Sequence, residues 1–230
     1  MVETPDPRRA AIRPALRTPR SAAAAGIAFS VLLLLALVLI RASVPSSPDK
    51  QSDWLANGGH RGLSVAATVL VPFAGIAFLW FIGVVRDRVG AHEDRFFATV
   101  FLGSGLLFVA MLFTSSALMT GLLAAFESPS VTAGSGTVWT FGRSVTYTVL
   151  TVYAMKMAAV FTLSTTTIIS RTTKAPRWLT ISGYLTAVIL LVSAGLVPWL
   201  ELIFPLWVLA LSLHILVASQ VQRPNVATDG

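Results

Sequence analysis

The sequence predicts an all-α protein: a polytopic transmembrane helix bundle of six spans with both termini in the cytoplasm. Three observations carry that prediction. Hydrophobic residues make up 55% of the 230 and charged residues only 12%, with a mean hydropathy of +0.76; soluble domains carry roughly a quarter charged residues. The stretch from Ser21 to Ile40 contains no charge and has the length of about 20 residues that crossing roughly 30 Å of hydrocarbon requires. Similar stretches recur along the chain, and the basic residues gather between them.

Residues 1–20 form a basic cytoplasmic tail in which Arg8, Arg9, Arg13, Arg17 and Arg20 alternate with Pro5, Pro7, Pro14 and Pro19. The prolines oppose a continuous helix, so this tail is expected to be disordered. Its Arg-rich start before an apolar run has the outline of a secretory signal. The apolar run exceeds the roughly 7–15 residues of such a signal and lacks a clean cleavage site, so an uncleaved first helix is expected. The transmembrane domain covers 21–220, with spans at about 21–42, 62–86, 96–125, 144–170, 178–197 and 199–219, followed by a second cytoplasmic tail at 221–230. Ala42 to Arg61 and Glu127 to Arg143 are rich in Pro, Ser and Gly and read as loops. Pro198 marks a tight turn between the last two spans.

Orientation follows from the basic residues. An inside N-terminus leaves five on the cytoplasmic face in the tail, three at Arg86, Arg88 and Arg95, three at Arg171, Lys174 and Arg177, and Arg223; the opposite face has Arg41, Lys50, Arg61 and Arg143. Such asymmetry orients a multi-pass protein. Trp54, Trp139, Trp178 and Trp199 fall near span ends, as an aromatic belt requires. The net charge of +7 belongs to this topology and to anionic headgroups, not to nucleic acid, because no basic domain stands apart from the spans.

Cysteine is absent, which excludes disulfides and thiolate chemistry. His60, His92 and His214 are expected at different depths, so no pair can ligate a haem or anchor a zinc site. No cofactor or metal is implied. Ser104, between Gly103 and Gly105, and His214 have comparable depth. A serine-protease pair would also need an oxyanion hole and the wider motifs of rhomboid proteases, which are missing. Close helix approach at the two glycines is the simpler reading. The mixed-charge loop Arg86–Arg95 reads as a solvated turn whose ion pairs are weak.

Lys156, in the fourth span, is the strongest functional pointer, about 21 Å from the cytoplasmic end of its helix. A charge there costs about 2.5–3.5 kcal/mol on insertion scales. Pro72 and Ser115 fall at similar depth, and Pro72 frees the carbonyl of Thr68 to accept from a lysine ammonium. Glu201 is the nearest acid on a neighbouring span, roughly 7–14 Å away along the membrane normal, and a snorkelling lysine could shorten that gap. Lys156, Glu201, Tyr153, Thr68 and Ser115 are therefore the candidate lining of a ligand or ion pathway. The opposing reading is that Lys156 snorkels outward or locks its helix to neighbours. Tyr153, Lys156, Val160, Leu163 and Thr167 share one face, expected to pack against other helices.

Two stretches resemble a known class. Arg86-Asp87-Arg88 with Glu93-Asp94-Arg95-Phe96-Phe97 running into Phe101-Leu102-Gly103-Ser104-Gly105 is one; Pro176-Arg177-Trp178-Leu179 followed by Phe204-Pro205-Leu206-Trp207-Val208 is the other. Together they resemble uncharacterised six-helix multi-pass membrane proteins of actinobacteria. The resemblance covers spans two to six and implies a bacterial plasma (inner) membrane, with nothing about substrate. The leading expectation is a non-enzymatic structural or interaction subunit, its partners the lipid bilayer and either a second copy or another membrane protein. A small transporter or channel around Lys156 and Glu201 is the alternative, although no internal repeat supports a carrier.

Overall fold

The computed structural model describes residues 19–43, 58–89, 95–127, 135–172, 176–193, 195–197 and 199–221. Within these, secondary structure is entirely helical: α1 (Pro19–Ser43), α2 (Gly58–Val89), α3 (Arg95–Glu127), α4, α5 (Arg177–Ser193) and α6 (Ile203–Val221). α4 is continuous but changes character, with α-helix over Ser135–Thr148, π-helix over Val149–Ala154 and α-helix again over Met155–Thr172. Five helices are long and apolar enough to cross a membrane: Ser21–Ala42, Gly62–Arg86, Phe96–Ala125, Gly136–Arg171 and Leu200–Ser219. Arg177–Ser193 is a shorter apolar helix. A helix is the natural state of such sequences, because it satisfies every interior backbone group without water.

The helices pack as a ring in which each neighbours the next in sequence and α6 returns to α1. The ring is filled by phenylalanine. Phe29 of α1, Phe78 of α2, Phe108 of α3, Phe161 of α4 and Phe204 of α6 are all fully buried. Their ring centroids lie 4.5 Å apart for Phe29 and Phe78, 4.9 Å for Phe78 and Phe161, 5.1 Å for Phe78 and Phe108 and 5.0 Å for Phe108 and Phe204. Tilted and edge-on pairs of this kind contribute roughly 0.5–1.5 kcal/mol beyond area burial. A second cluster beside it joins Ile40, Ala67, Met119, Leu122, Leu123 and Trp139.

Close approach at two glycines fixes how the helices cross. A Cβ on Gly26 would collide with Ser212 Oγ and come within 2.9 Å of Phe81, so α1 meets α6 and α2 there. A Cβ on Gly105 would lie 2.6 Å from Ile82, whereas one on Gly103 meets nothing within 4 Å; of the expected glycine pair, only Gly105 serves packing. α5 runs back along α4. A Cβ on Gly183 would strike Thr166 Oγ1, and one on Gly195, beyond the end of α5, would lie 2.7 Å from Val152.

Some sequence expectations need correction. α4 begins at Ser135, so part of the expected loop up to Arg143 is helical. The reason is apolar: Trp139 is 1% exposed and packs in the second cluster, so it is an anchor of the bundle and not part of an aromatic belt. Trp178 and Trp199, 55% and 47% exposed, suit the belt. α5 stops at Ser193, where Leu196 N–H closes a turn on Ser193 O at 3.0 Å and Gly195 adopts φ +84°, a conformation that suits glycine. The N-terminal tail up to residue 18, Trp54, Pro198 and the C-terminal tail from residue 222 lie outside the described residues, as do residues 90–94 between α2 and α3; Pro19 and Arg20, read as part of the tail, already belong to α1.

Candidate functional site

The five residues read as a pathway lining separate into three places. Thr68 and Ser115 come together, Glu201 lies in an ion pair with another residue, and Lys156 and Tyr153 are outside the bundle.

Thr68 and Ser115 line one small cavity between α1, α2, α3 and α4, together with Leu33, Leu37, Ser116 and Tyr147 among others. About 20 Å³ of it is open to the centre of a water molecule, room for about one. Its exposed lining is almost wholly apolar, because the polar groups beside it are engaged at two interruptions of helical hydrogen bonding. Pro72 has no N–H to offer Thr68 O. That carbonyl accepts from Ser116 Oγ of α3 at 2.9 Å, so its partner is a serine where a lysine was expected. One residue earlier, Ser115 Oγ donates to Thr146 O at 3.2 Å, three residues before the π-helical segment of α4 begins. A π-turn shifts the bonding partner by one residue and loosens carbonyls at its ends. Two adjacent hydroxyls of α3 thus satisfy backbone on the two helices flanking it.

Glu201 is 4% exposed and sits in the 3₁₀ turn Leu200–Leu202 that leads into α6. Its partner is Arg41, in the last turn of α1: Arg41 Nε and Nη2 both donate to Glu201 Oε1, at 2.8 and 2.6 Å. A cation also suits the C-terminus of a helix, where carbonyls accumulate partial negative charge. Aromatic rings flank this pair. The Arg41 guanidinium carbon is 5.7 Å from the Tyr147 ring centroid and 5.8 Å from that of Trp199. Arg143, one turn before Tyr147 on α4, lies over the same tyrosine at 4.5 Å. Trp199 holds its position through a left-handed backbone at φ 69°, which costs a bulky L-residue roughly 1–2 kcal/mol.

Lys156 points away from the ring of helices and is exposed. On the same face Tyr153 is 57% and Leu163 43% exposed, Val160 is half-buried, and Thr167 reaches a neighbour, its Oγ1 lying 3.3 Å from the hydroxyl of Tyr184 on α5. This face was expected to pack, but the opposite one does, through Met155, Ala158, Phe161, Thr162 and Thr165, all buried. The hydroxyls of α4 serve mostly their own helix, as in Thr162 to Ala158 O and Thr165 to Phe161 O, at 2.8 and 2.7 Å. Ser104 likewise donates to Val100 O at 2.6 Å, which spends the hydroxyl considered as a nucleophile. Among the described residues no group of three His, Asp or Glu side chains could hold a metal ion.

Sequence reasoning missed Arg41, Arg143, Tyr147 and Ser116. Arg41 and Arg143 were counted only as topology charges, although their position beside Glu201 at one end of the bundle was a usable signal. No protein family, curated protein or solved structure matches the chain.

Proposed function

We propose that this chain is a six-span, N-in and C-in protein of a bacterial plasma membrane, acting as an interaction subunit. Its α4 face around Lys156 docks a carboxylate-bearing transmembrane helix of a different membrane protein. The observation that carries this reading is the exposed position of Lys156 on a span, 144–170, that holds no other charge. Arg143 and Arg171 are about 42 Å apart along α4 at about 1.5 Å per residue, which matches a bilayer with its headgroup regions included, roughly 40–45 Å. Lys156 then falls near the midplane, about 15 Å from either edge of the hydrocarbon. A lysine stem spans roughly 6 Å, too short to reach headgroups. An unpaired ammonium there is costly, and a partner carboxylate removes the cost.

A second copy of this chain would not supply that carboxylate. Of its ten acidic residues, Glu201 alone lies inside a span, and it is engaged by Arg41. Counting α5 as a sixth span is supported by its antiparallel course along α4, from Thr166 to Val152. The phenylalanine cluster fills the centre of the bundle, which favours an interaction role over conduction. The resemblance to actinobacterial multi-pass proteins supports the choice of membrane.

The test uses membranes of the cell that makes the protein, with a photo-crosslinking residue at Leu163 and native electrophoresis of the complex. A crosslinked membrane protein with an acidic residue in a span is expected. Lys156→Glu should dissociate the complex, and a lysine at the partner's acidic position should restore it. An unchanged complex in Lys156→Met would overturn the proposal.

A further inference from the structure

The end of the bundle where α1 stops and α6 begins carries an imbalance of charge. Two guanidinium groups, Arg41 and Arg143, approach one ring, Tyr147, at 5.7 and 4.5 Å. Only Arg41 has a carboxylate, since Glu201 takes both Nε and Nη2 of that side chain. Among the described residues Arg143 has no ion pair, and its Nε is buried without a hydrogen-bond partner. The tyrosine ring attracts the charge of Arg143 but cannot satisfy that N–H. A buried charged donor without an acceptor is costly, so the site calls for an acceptor from outside the described chain.

We infer that Arg143, with Arg41 beside it, binds the oxyanion of a phosphate group, supplied either by a phospholipid headgroup or by free phosphate. Chemistry and place both support this. A guanidinium is a planar fork that matches phosphate oxygens bidentately, and the Tyr147 ring, its centroid 4.5 Å from the Arg143 guanidinium carbon, holds that fork in place. Arg143 lies one headgroup-to-headgroup distance, about 42 Å along α4, from Arg171, where a lipid phosphate would be found. Glu201 neutralises Arg41 alone and leaves one positive charge at the site. The inference is independent of the docking reading at Lys156, which lies about 20 Å further along the same helix.

The experiment uses the full chain in a phosphate-free maltoside detergent. Inorganic phosphate, phosphatidylglycerol and a diacyl glycolipid without phosphate are titrated separately, with thermal unfolding and native mass spectrometry as readouts. A stabilisation by phosphatidylglycerol that exceeds that of the glycolipid identifies a lipid phosphate. A saturable stabilisation by inorganic phosphate identifies the free ion. In either case Arg143→Gln should weaken apparent affinity about tenfold or more, as loss of a charge-assisted bond does, and Arg143→Lys, which keeps the charge and lacks the fork, should fall between. Equal retention of the glycolipid, or equal binding by Arg143→Gln and the wild type, overturns the inference. So does an Asp49→Asn, Asp53→Asn, Glu127→Gln triple variant that loses as much stability as Arg143→Gln without added ligand and nothing more when combined with it, because the acceptor is then the chain's own.

Discussion

The bond from Ser116 to Thr68 offers a closed test of how this bundle tolerates a proline. Thr68 O lacks its helical donor because residue 72 is proline, and Ser116 Oγ supplies a substitute at 2.9 Å. Ser116→Ala strands a buried carbonyl. Such a group costs about 1–3 kcal/mol in general, but interhelical hydrogen bonds in membranes average about 0.6 and reach about 1.7 kcal/mol. About 1 kcal/mol of destabilisation is therefore expected. Pro72→Ala restores an N–H four residues beyond Thr68 and removes little packing, since Pro72 is exposed. In that background Ser116→Ala should cost no more than about 0.3 kcal/mol, a coupling of roughly 0.7 kcal/mol between residues on different helices. Reversible unfolding of the four proteins in mixed detergent and lipid micelles measures the cycle. Equal costs of Ser116→Ala in both backgrounds would refute the reasoning, because the serine would then be acting through something other than the carbonyl that proline frees.

Arg41→Met leaves Glu201 buried and unpaired, and should destabilise by about 3–5 kcal/mol, while the double variant Arg41→Met, Glu201→Met recovers most of the loss; the same unfolding assay reads both. Gly26→Ala should cost about 1–3 kcal/mol because its Cβ meets Ser212 and Phe81. Gly103→Ala should be neutral or stabilising by up to about 1 kcal/mol, since open space surrounds it; the opposite order of the two glycines in thermal stability would contradict the crossing geometry. Trp199→Asn should relieve left-handed strain yet release Arg41, detectable as faster proteolysis or hydrogen exchange in the turn before α6 with a small change in overall stability.

Hydropathy located the long helices because hydrocarbon thickness dictates their length, and that constraint acts on every span alike. It could not say which way each helix faces. In a soluble protein the apolar stripe marks the core, whereas both faces of these spans are apolar: Phe78 is buried and Trp80, two residues on, is 70% exposed. Azimuth is therefore open in the sequence, and the face of Tyr153, Lys156 and Leu163, read there as a packing face, is exposed in the bundle. Depth alone also paired the wrong residues. Glu201 was matched to Lys156 by distance along the membrane normal, while Arg41 lay closer in the plane, across the contact of α1 with the start of α6. Thr68 was legible because Pro72, four residues on, is a local signal that frees its carbonyl, although the donor that answers it is Ser116, next to the Ser115 that depth suggests. The π-helical segment of α4 had no such marker, since Val149–Ala154 contains neither Gly nor Pro.

That segment bears on why Lys156 faces outward. A π-turn inserts an extra residue into the helical register, so everything after it is rotated relative to what precedes. Upstream, Thr146 and Leu150 are buried and line the cavity with Tyr147. Downstream, the buried set resumes at Ala154, Met155, Ala158 and Ala159. Lys156 directly follows this change and takes the outward phase. Deleting one residue from Val149–Ala154 should convert the segment to ordinary α-helix and leave the downstream half in its present phase, because the wide turn is what absorbs the extra residue. Lys156 then keeps its outward position and the face of Phe161 stays buried, so the deletion costs little. Deleting a residue from the regular helix between Ala158 and Thr165 instead turns everything beyond it by about 100°, exposes the buried set there and destabilises by several kcal/mol. Equal losses from the two deletions in reversible unfolding would mean that the π-turn is a packing accident and does not set the outward phase of the lysine.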